Sequence, residues 1–183
     1  MPGPKPSLTH EQVLEAALEL TDADGLAALN LRKLAAALGV SAMTPYSYFS
    51  DKAELLNAMV GHALRALNLD PASTEPWDVQ LEAAMRGMHD SFERHPGVIE
   101  LILAESDYSR LDDFRRELTS MLVGAGLTER QSTDALRTLT SYIIGFTMMH
   151  RRRGRSSDSF EHGLELYMNA LRGEAAASIE RGS

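Results

Sequence analysis

Apolar side chains recur at steps of three and four along almost the whole chain, and most such runs open on a capping residue or close on a glycine. That spacing lays the apolar atoms along one stripe of an α-helix, and no stretch sustains the period-two alternation of a half-buried strand. An all-α fold of about nine helices is therefore expected. Thr9 and Gln12 have the form of a capping box, in which threonine oxygen and glutamine side chain satisfy each other's exposed amides. Val13, Ala17 and Leu20 follow at helical spacing, and Gly25 offers a stop. Asn30 can cap a second helix carrying Leu31, Leu34 and Leu38, which Gly39 ends. Asp51 with Glu54 opens a longer one through Leu55, Met59, Ala63 and Leu67.

The two-proline stretch "NLDPASTEPW" marks a module boundary, dividing the chain into residues 1–68 and 69–183. Pro76 suits the first turn of the next helix, where its missing N–H would be unpaired anyway. That helix carries Leu81, Met85, Met88 and Phe92 and ends at His95, Pro96 and Gly97. A short apolar helix from Val98 to Ala104 and one with Leu111, Phe114, Leu118 and Met121 come next. Thr128 and Gln131 form another capping box, ahead of what reads as the longest helix, reaching roughly Arg153 and about 38 Å long. A last helix holds Phe160, Leu164, Tyr167 and Leu171, with a ragged tail after Gly173.

Chemistry is bounded mainly by what the sequence does not contain. With no cysteine, disulfides, thiol catalysis and cysteine-ligated zinc are excluded. None of the six histidines falls at a metal-binding spacing, and His62, His89, His95 and His162 read as surface or packing residues. Helices alone, without a paired histidine–carboxylate motif or a phosphate loop, argue against an enzyme and call for no cofactor or metal. The start, "MPGPKPSLTHEQ", has no apolar stretch of a secretory signal, and no membrane span is present, so a cytoplasmic protein is expected.

The net charge of −8 weighs slightly against a nucleic-acid partner, since phosphate binding usually leaves a basic footprint. Residues 1–68 hold five Lys or Arg against seven acids, so the first module is itself acidic. Placement matters more than the sum: Arg32, Lys33 and Lys52 fall in or beside residues 31–49. "RRRGR" at Arg151 to Arg155 resembles a nucleic-acid patch, but also suits a helix carboxyl end, where cations are favoured.

Residues 31–49 meet the demands of a helix-turn-helix. Such a motif needs a small residue where the second helix crosses the first, a glycine for a left-handed turn, an apolar plug and a second helix with exposed polar residues. Ala35, Gly39 and Val40 supply these at steps of four and one, and Leu34, Leu38, Tyr46 and Phe49 supply apolar contacts. With the capped helix before it and "SDKAELL" after it, the segment resembles the amino-terminal domain of the tetracycline-repressor (TetR) family of transcriptional regulators. The resemblance rests on "LTHEQVLEAALELTDADGLAALNLRKLAAALGV" and "SAMTPYSYFSDKAELL", about a third of the chain.

The resemblance implies that Arg32, Tyr46 and Lys52 contact the DNA backbone. It places Ser41, Ala42, Met43 and Thr44 at base edges, with Ser47 and Tyr48 alongside. The side chains suit these roles. Lys52 sits in a helix first turn, where amides also attract phosphate; tyrosine hydroxyls can meet phosphate oxygens; and Ala42 and Met43 can pack on a thymine methyl. Pro45 departs from the family's usual aliphatic residue. If Ser41 caps the recognition helix, the proline forfeits the first helical bond and presses Thr44 away from helical geometry. A loosened or tightened first turn is expected, and Pro45→Leu is expected to stabilise the fold and alter operator preference.

The resemblance further implies a regulatory domain whose last two helices pair with a second copy, as a homodimer on a near-palindromic double-stranded operator. The two recognition helices would then enter successive major grooves about 34–36 Å apart. The other helices would enclose a site for a small apolar or amphipathic effector. Met85, Met88, Phe92, Phe114, Met121, Tyr142 and Phe146 are its candidates, with His150 and Tyr142 as polar contacts. An ordinary hydrophobic core accounts for the same residues. The reading is thus a ligand-responsive regulator, most simply a repressor; control by a protein partner and a helical adaptor without ligand are the alternatives.

Overall fold

In a computed structural model of the chain, residues 8–65, 67, 73–104, 109–150 and 157–182 are described. Among them are eight α-helices, two 3-10 segments and no strand. The helices are α1 (His10–Asp24), α2 (Leu31–Ala37), α3 (Lys52–Arg65), α4 (Trp77–Arg94), α5 (Gly97–Leu103), α6 (Ser109–Gly124), α7 (Glu129–His150) and α8 (Ser157–Gly182). The 3-10 segments are Leu26–Ala28 and Thr44–Ser47. No helix among the described residues is long and apolar enough to cross a membrane.

The helix starts follow from local side-chain chemistry. Thr9 and Gln12 exchange bonds of 3.1 and 2.9 Å across the start of α1, and Asn30 accepts the Lys33 N–H at 3.0 Å at the start of α2. Thr128 and Gln131 do the same for α7. At α3 the box is shifted by one residue: Asp51 accepts from the Glu54 N–H, while the Glu54 carboxylate reaches back to the Ser50 N–H at 2.6 Å. That backbone bond holds the Glu54 carboxyl below its ordinary range.

At the far end the described residues differ from the sequence expectation in the ranking of the helices and in the tail. Among the described residues the longest helix is α8, with 26 residues, and α7 is described over 22, from Glu129 to His150. The stretch after Gly173 is not ragged, because "EAAAS" carries strong helix formers and Ala175 is buried on the inner face. One glycine costs such a helix only about 1 kcal/mol. Arg151 to Arg155 lie outside the described residues.

The chain divides into two compact units, and the division is not one cut near residue 68. The first unit is drawn from residues 1–63 and 95–110, the second from 64–94 and 111–183. Residues 95–103 join the first unit through specific bonds. The Asp22 carboxylate accepts the Gly97 N–H at 2.7 Å and meets His95 Nδ1 at 2.9 Å, and Glu100 accepts the Leu26 N–H at 2.9 Å. A side chain at Gly97 would lie 2.6 Å from the Thr21 methyl, so only glycine permits this approach.

In the first unit α1 packs on α2 and α5, and the second 3-10 segment packs on α2. Val13, Leu14, Leu18, Leu34, Phe49, Leu55 and Met59 form its buried core. In the second unit α4 packs on α7 and α8, burying Leu81, Met85, Phe92, Leu139, Ile143, Leu164 and Met168.

Candidate nucleic-acid interface

The corner after α2 is built by backbone geometry. Gly39 adopts φ +65°, its N–H returns to the Ala36 carbonyl and the Val40 N–H returns to Ala35. This double closure is a Schellman motif, which a left-handed residue completes at least strain when that residue is glycine. It reverses the chain so that residues 41–49 lie against α2.

Those nine residues do not form the α-helix that the sequence reading expects. Thr44 N–H bonds to Ser41, Tyr46 to Met43 and Tyr48 to Pro45, each a three-residue step, and only the Phe49 N–H makes a four-residue bond. Pro45 explains the choice. In an α-helix the Ser41 carbonyl would wait for the N–H of residue 45, which proline lacks; in the tighter winding Thr44 supplies the donor instead. Pro45 itself is buried, so the ring is a packing element as well as a backbone constraint. The tightened first turn that the proline implies thus extends over the whole segment.

The tightening sorts the side chains. Ser41, Ala42, Met43, Tyr46 and Ser47 are exposed, Met43 at 70% and Tyr46 at 47%, and Thr44 is half-buried. A thioether and a phenol thus stand open to water side by side on a packed scaffold. Arg32, on the outer side of α2, is exposed as well. Ser47 is anchored by its hydroxyl to the Thr44 carbonyl at 2.7 Å.

Two of the residues expected at DNA are engaged within the fold. Tyr48 donates its hydroxyl to the Leu8 carbonyl at 2.5 Å, and its half-buried ring lies beside His10 and Phe49. It is a latch on the start of the head, and its hydroxyl is not presented to a phosphate. Lys52 remains exposed, with Nζ 3.3 Å from the Leu26 carbonyl, and Lys33 pairs with Asp24 at 3.4 Å. Side-chain hydrogen bonds of this reach have no signature in sequence spacing, since Tyr48 and Leu8 are 40 positions apart.

The effector candidates lie in the second unit and separate into two groups. Met85, Met88, Phe92 and Phe114 are buried as core, and Met121 is half-buried on α6. Tyr142, Phe146 and His150 come together with two residues that the sequence reading did not select, His89 and Phe160. His89 stacks on Phe160 at 3.8 Å, His150 stacks on Phe146 at 3.9 Å and Tyr142 stacks on Phe160 at 5.8 Å. Tyr142 donates to the Phe160 carbonyl at 3.0 Å, and burial raises its phenol above the ordinary tyrosine range. His150 Nδ1 lies 2.9 Å from the Phe146 carbonyl, so both polar candidates already hold bonds within the unit.

Comparison with known proteins agrees with this architecture. Residues 13–59 match the family model described as bacterial regulatory proteins, tetR family. An HTH-type transcriptional repressor, DrrR1 of Streptomyces coeruleorubidus, is 33% identical over 147 residues, covering 78% of this chain and 54% of that protein. Residues 13–59 thus form a TetR-family domain. The chain spans only about half the length of that repressor. Among solved TetR-like folds, BioQ of Mycobacterium smegmatis has a TM-score of 0.68 at 29% identity, covering 91% of this chain and 99% of that one. A BioQ structure with its double-stranded DNA operator has a TM-score of 0.64 at 28% identity with the same coverage.

Proposed function

We propose that this chain is a DNA-binding transcriptional regulator, acting as a homodimer on a near-palindromic operator and released by a small apolar or amphipathic effector. The observation that carries the DNA reading is the strip Ser41, Ala42, Met43, Tyr46 and Ser47, held open on a head whose other large side chains are largely buried. Its chemistry favours apolar contact with thymine methyls and one phenolic hydroxyl at the backbone, with Arg32 and Lys52 as the flanking cations. With so few donors aimed at base edges, sequence preference rests substantially on DNA shape.

Dimerisation through α7 and α8 is supported by Met148 and Met149 on the first and Leu166 and Ile179 on the second, all exposed in the single chain. The effector reading is supported by the ring cluster of His89, Tyr142, Phe146, His150 and Phe160, which a flat apolar ligand would extend by stacking. Burial of Met85, Met88, Phe92 and Phe114 as core favours a second reading, in which a protein partner rather than a small molecule controls the dimer.

Selection of bound sequences from random duplex DNA by the purified protein, with and without a metabolite extract, tests both readings. An enriched inverted repeat is expected, with affinity falling steeply as salt rises. A dimer that binds no duplex at low salt overturns the DNA reading; an enriched site indifferent to the extract favours partner control.

A further inference from the structure

Several hydroxyl side chains on these helices fold back on the carbonyl one turn earlier. Thr21 donates to the Ala17 carbonyl at 2.8 Å on α1. On α7, Ser132, Thr133 and Thr138 donate to the carbonyls of Thr128, Glu129 and Asp134 at 3.0, 2.9 and 2.8 Å. Such a bond satisfies a short polar side chain without leaving its own helix. Thr147, on the same helix and wholly buried, departs from the pattern: among the described residues its Oγ1 has no hydrogen-bond partner. A buried hydroxyl left unpaired weakens a fold, whereas valine fills nearly the same volume without that cost. Packing alone thus does not account for threonine at this position.

Leu139, Ile143 and Thr147 follow one another at steps of four along the buried side of α7, which packs on α4. At about 100° per residue, His150 lies roughly 60° around the helix from Thr147, and Phe146 roughly 100°. The Phe146 and His150 rings are stacked, with centroids 3.9 Å apart and planes 9° from parallel. One hydroxyl therefore stands beside flat rings on an otherwise apolar wall. His150 Nδ1 and the Tyr142 hydroxyl are engaged by the Phe146 and Phe160 carbonyls, and Thr147 alone of the three polar groups has nothing to bond. We infer, resting on the effector reading, that Thr147 is the polar anchor of the effector site. Its hydroxyl donates to an oxygen on the edge of a planar aromatic ligand whose face lies along Phe146 and His150.

The anchor narrows the class of ligand. A ligand that brings an oxygen to Thr147 removes a cost carried by the free protein, while a purely apolar one of the same shape leaves the hydroxyl unpaired. Sites built to hydrogen-bond a ligand reject the analogue lacking that group far more strongly than an apolar pocket resolves one methyl group. Because Thr147 is wholly buried, the ligand reaches it only as side chains on α4 move aside, and the unbranched, flexible Met85 and Met88 suit that movement. An oxygen-bearing aromatic thus replaces the broader description of a small apolar or amphipathic effector.

The anchor can be read without DNA. 2-Naphthol and 2-methylnaphthalene have nearly the same shape and differ by one oxygen, so calorimetric titration of the whole protein with each probes it directly. The wild type is expected to bind the naphthol roughly tenfold more tightly. In Thr147→Val the two should bind alike, and the urea midpoint of the free protein should rise, because the unpaired hydroxyl has gone. Thr147→Ala against Thr147→Ser, a pair differing only in the hydroxyl, carries the comparison if Thr147→Val does not fold. A wild type that binds the naphthol no better than its methyl analogue, or a preference that survives in Thr147→Val, would overturn the inference. So would a midpoint that falls, since the hydroxyl would then already be served by a buried water. Operator affinity is a separate measurement. A naphthol held through Thr147 that leaves operator affinity unchanged sinks the effector reading while the anchor stands, and a protein that binds no duplex sinks the DNA reading alone.

Discussion

The two units are both helical, yet different reaches of bonding hold them. In the first, helix ends are set by partners three residues apart, as in Thr9 with Gln12 and Asn30 with Lys33, and the corner by the Gly39 and Val40 N–H groups reaching back three and five residues. In the second, α4 and α8 are tied by a row of alternating charges across 75 to 94 positions. Arg172 meets Asp78 at 2.6 Å and Glu82 at 3.1 Å, and Arg86 joins Glu82 to Glu161, the latter contact at 2.9 Å. Aromatic stacks close the same space between α4, α7 and α8. The helix starts and the corner of the head are thus specified by short-range chemistry, while its hold on residues 95–103 and the packing of the second unit depend on side chains finding distant partners.

The sharpest break of that contrast is Gly163→Ala. A β-carbon there would lie on the Tyr142 hydroxyl and 2.6 Å from its ring carbon Cζ, so the phenol must shift from its bond to the Phe160 carbonyl. A loss of about 2 kcal/mol or more is expected by urea unfolding, as for other overpacked positions. Gly145→Ala on α7, with nothing within 4 Å, should go the other way and stabilise by about 0.5–1 kcal/mol. Equal effects at the two sites would deny the second unit its dependence on the Tyr142 contact.

In the head, Gly39→Ala meets no neighbour, so its whole cost is the left-handed backbone, roughly 1–2 kcal/mol in the same measurement. An unchanged midpoint would mean that the corner is held from outside and not by its own turn.

Arg172→Met tests the long-range charges at about 1 kcal/mol or less, since the pair is partly exposed. Arg172 hydrogen-bonds Asp78 and holds its carboxyl below the ordinary range. Stability from that group is present above the unfolded carboxylate value, about pH 4, and is lost as pH falls through the lower native value. The variant's urea midpoint should therefore change less steeply with pH below about 4 than that of the wild type.

Pro45→Leu is expected to have the smallest effect on stability, less than about 1 kcal/mol. The N–H it restores has no vacant acceptor at Ser41, and the buried ring that it removes had packed against the head. Operator selection is the informative measurement: a return toward α-helical winding would re-aim Met43 and Tyr46, and an unchanged preference would separate the proline from readout.

These differences in reach explain what could be read from the sequence. The Thr9, Asn30 and Thr128 caps, the Gly39 corner and the apolar faces of α4 and α7 are short-range patterns, and the sequence reading found them. Pro45 announced a disturbance but not its form, because helical spacing cannot distinguish one altered turn from a tighter winding throughout. His95 read as a packing or surface residue, since its partners Glu15 and Asp22 lie 80 and 73 positions away; two carboxylates seven apart on one face of α1 were the only local hint. His89 and Phe160 were passed over for the same reason: stacking between α4 and α8 leaves no periodic trace.

The Tyr48 latch has a practical consequence for handling this protein. Because its hydroxyl grips the carbonyl of Leu8, the backbone at that residue is moored two positions from Tyr46 along the strip proposed to touch DNA. A bulky label attached at Leu8 itself would crowd the contact under study, so labels for binding work belong on the second unit.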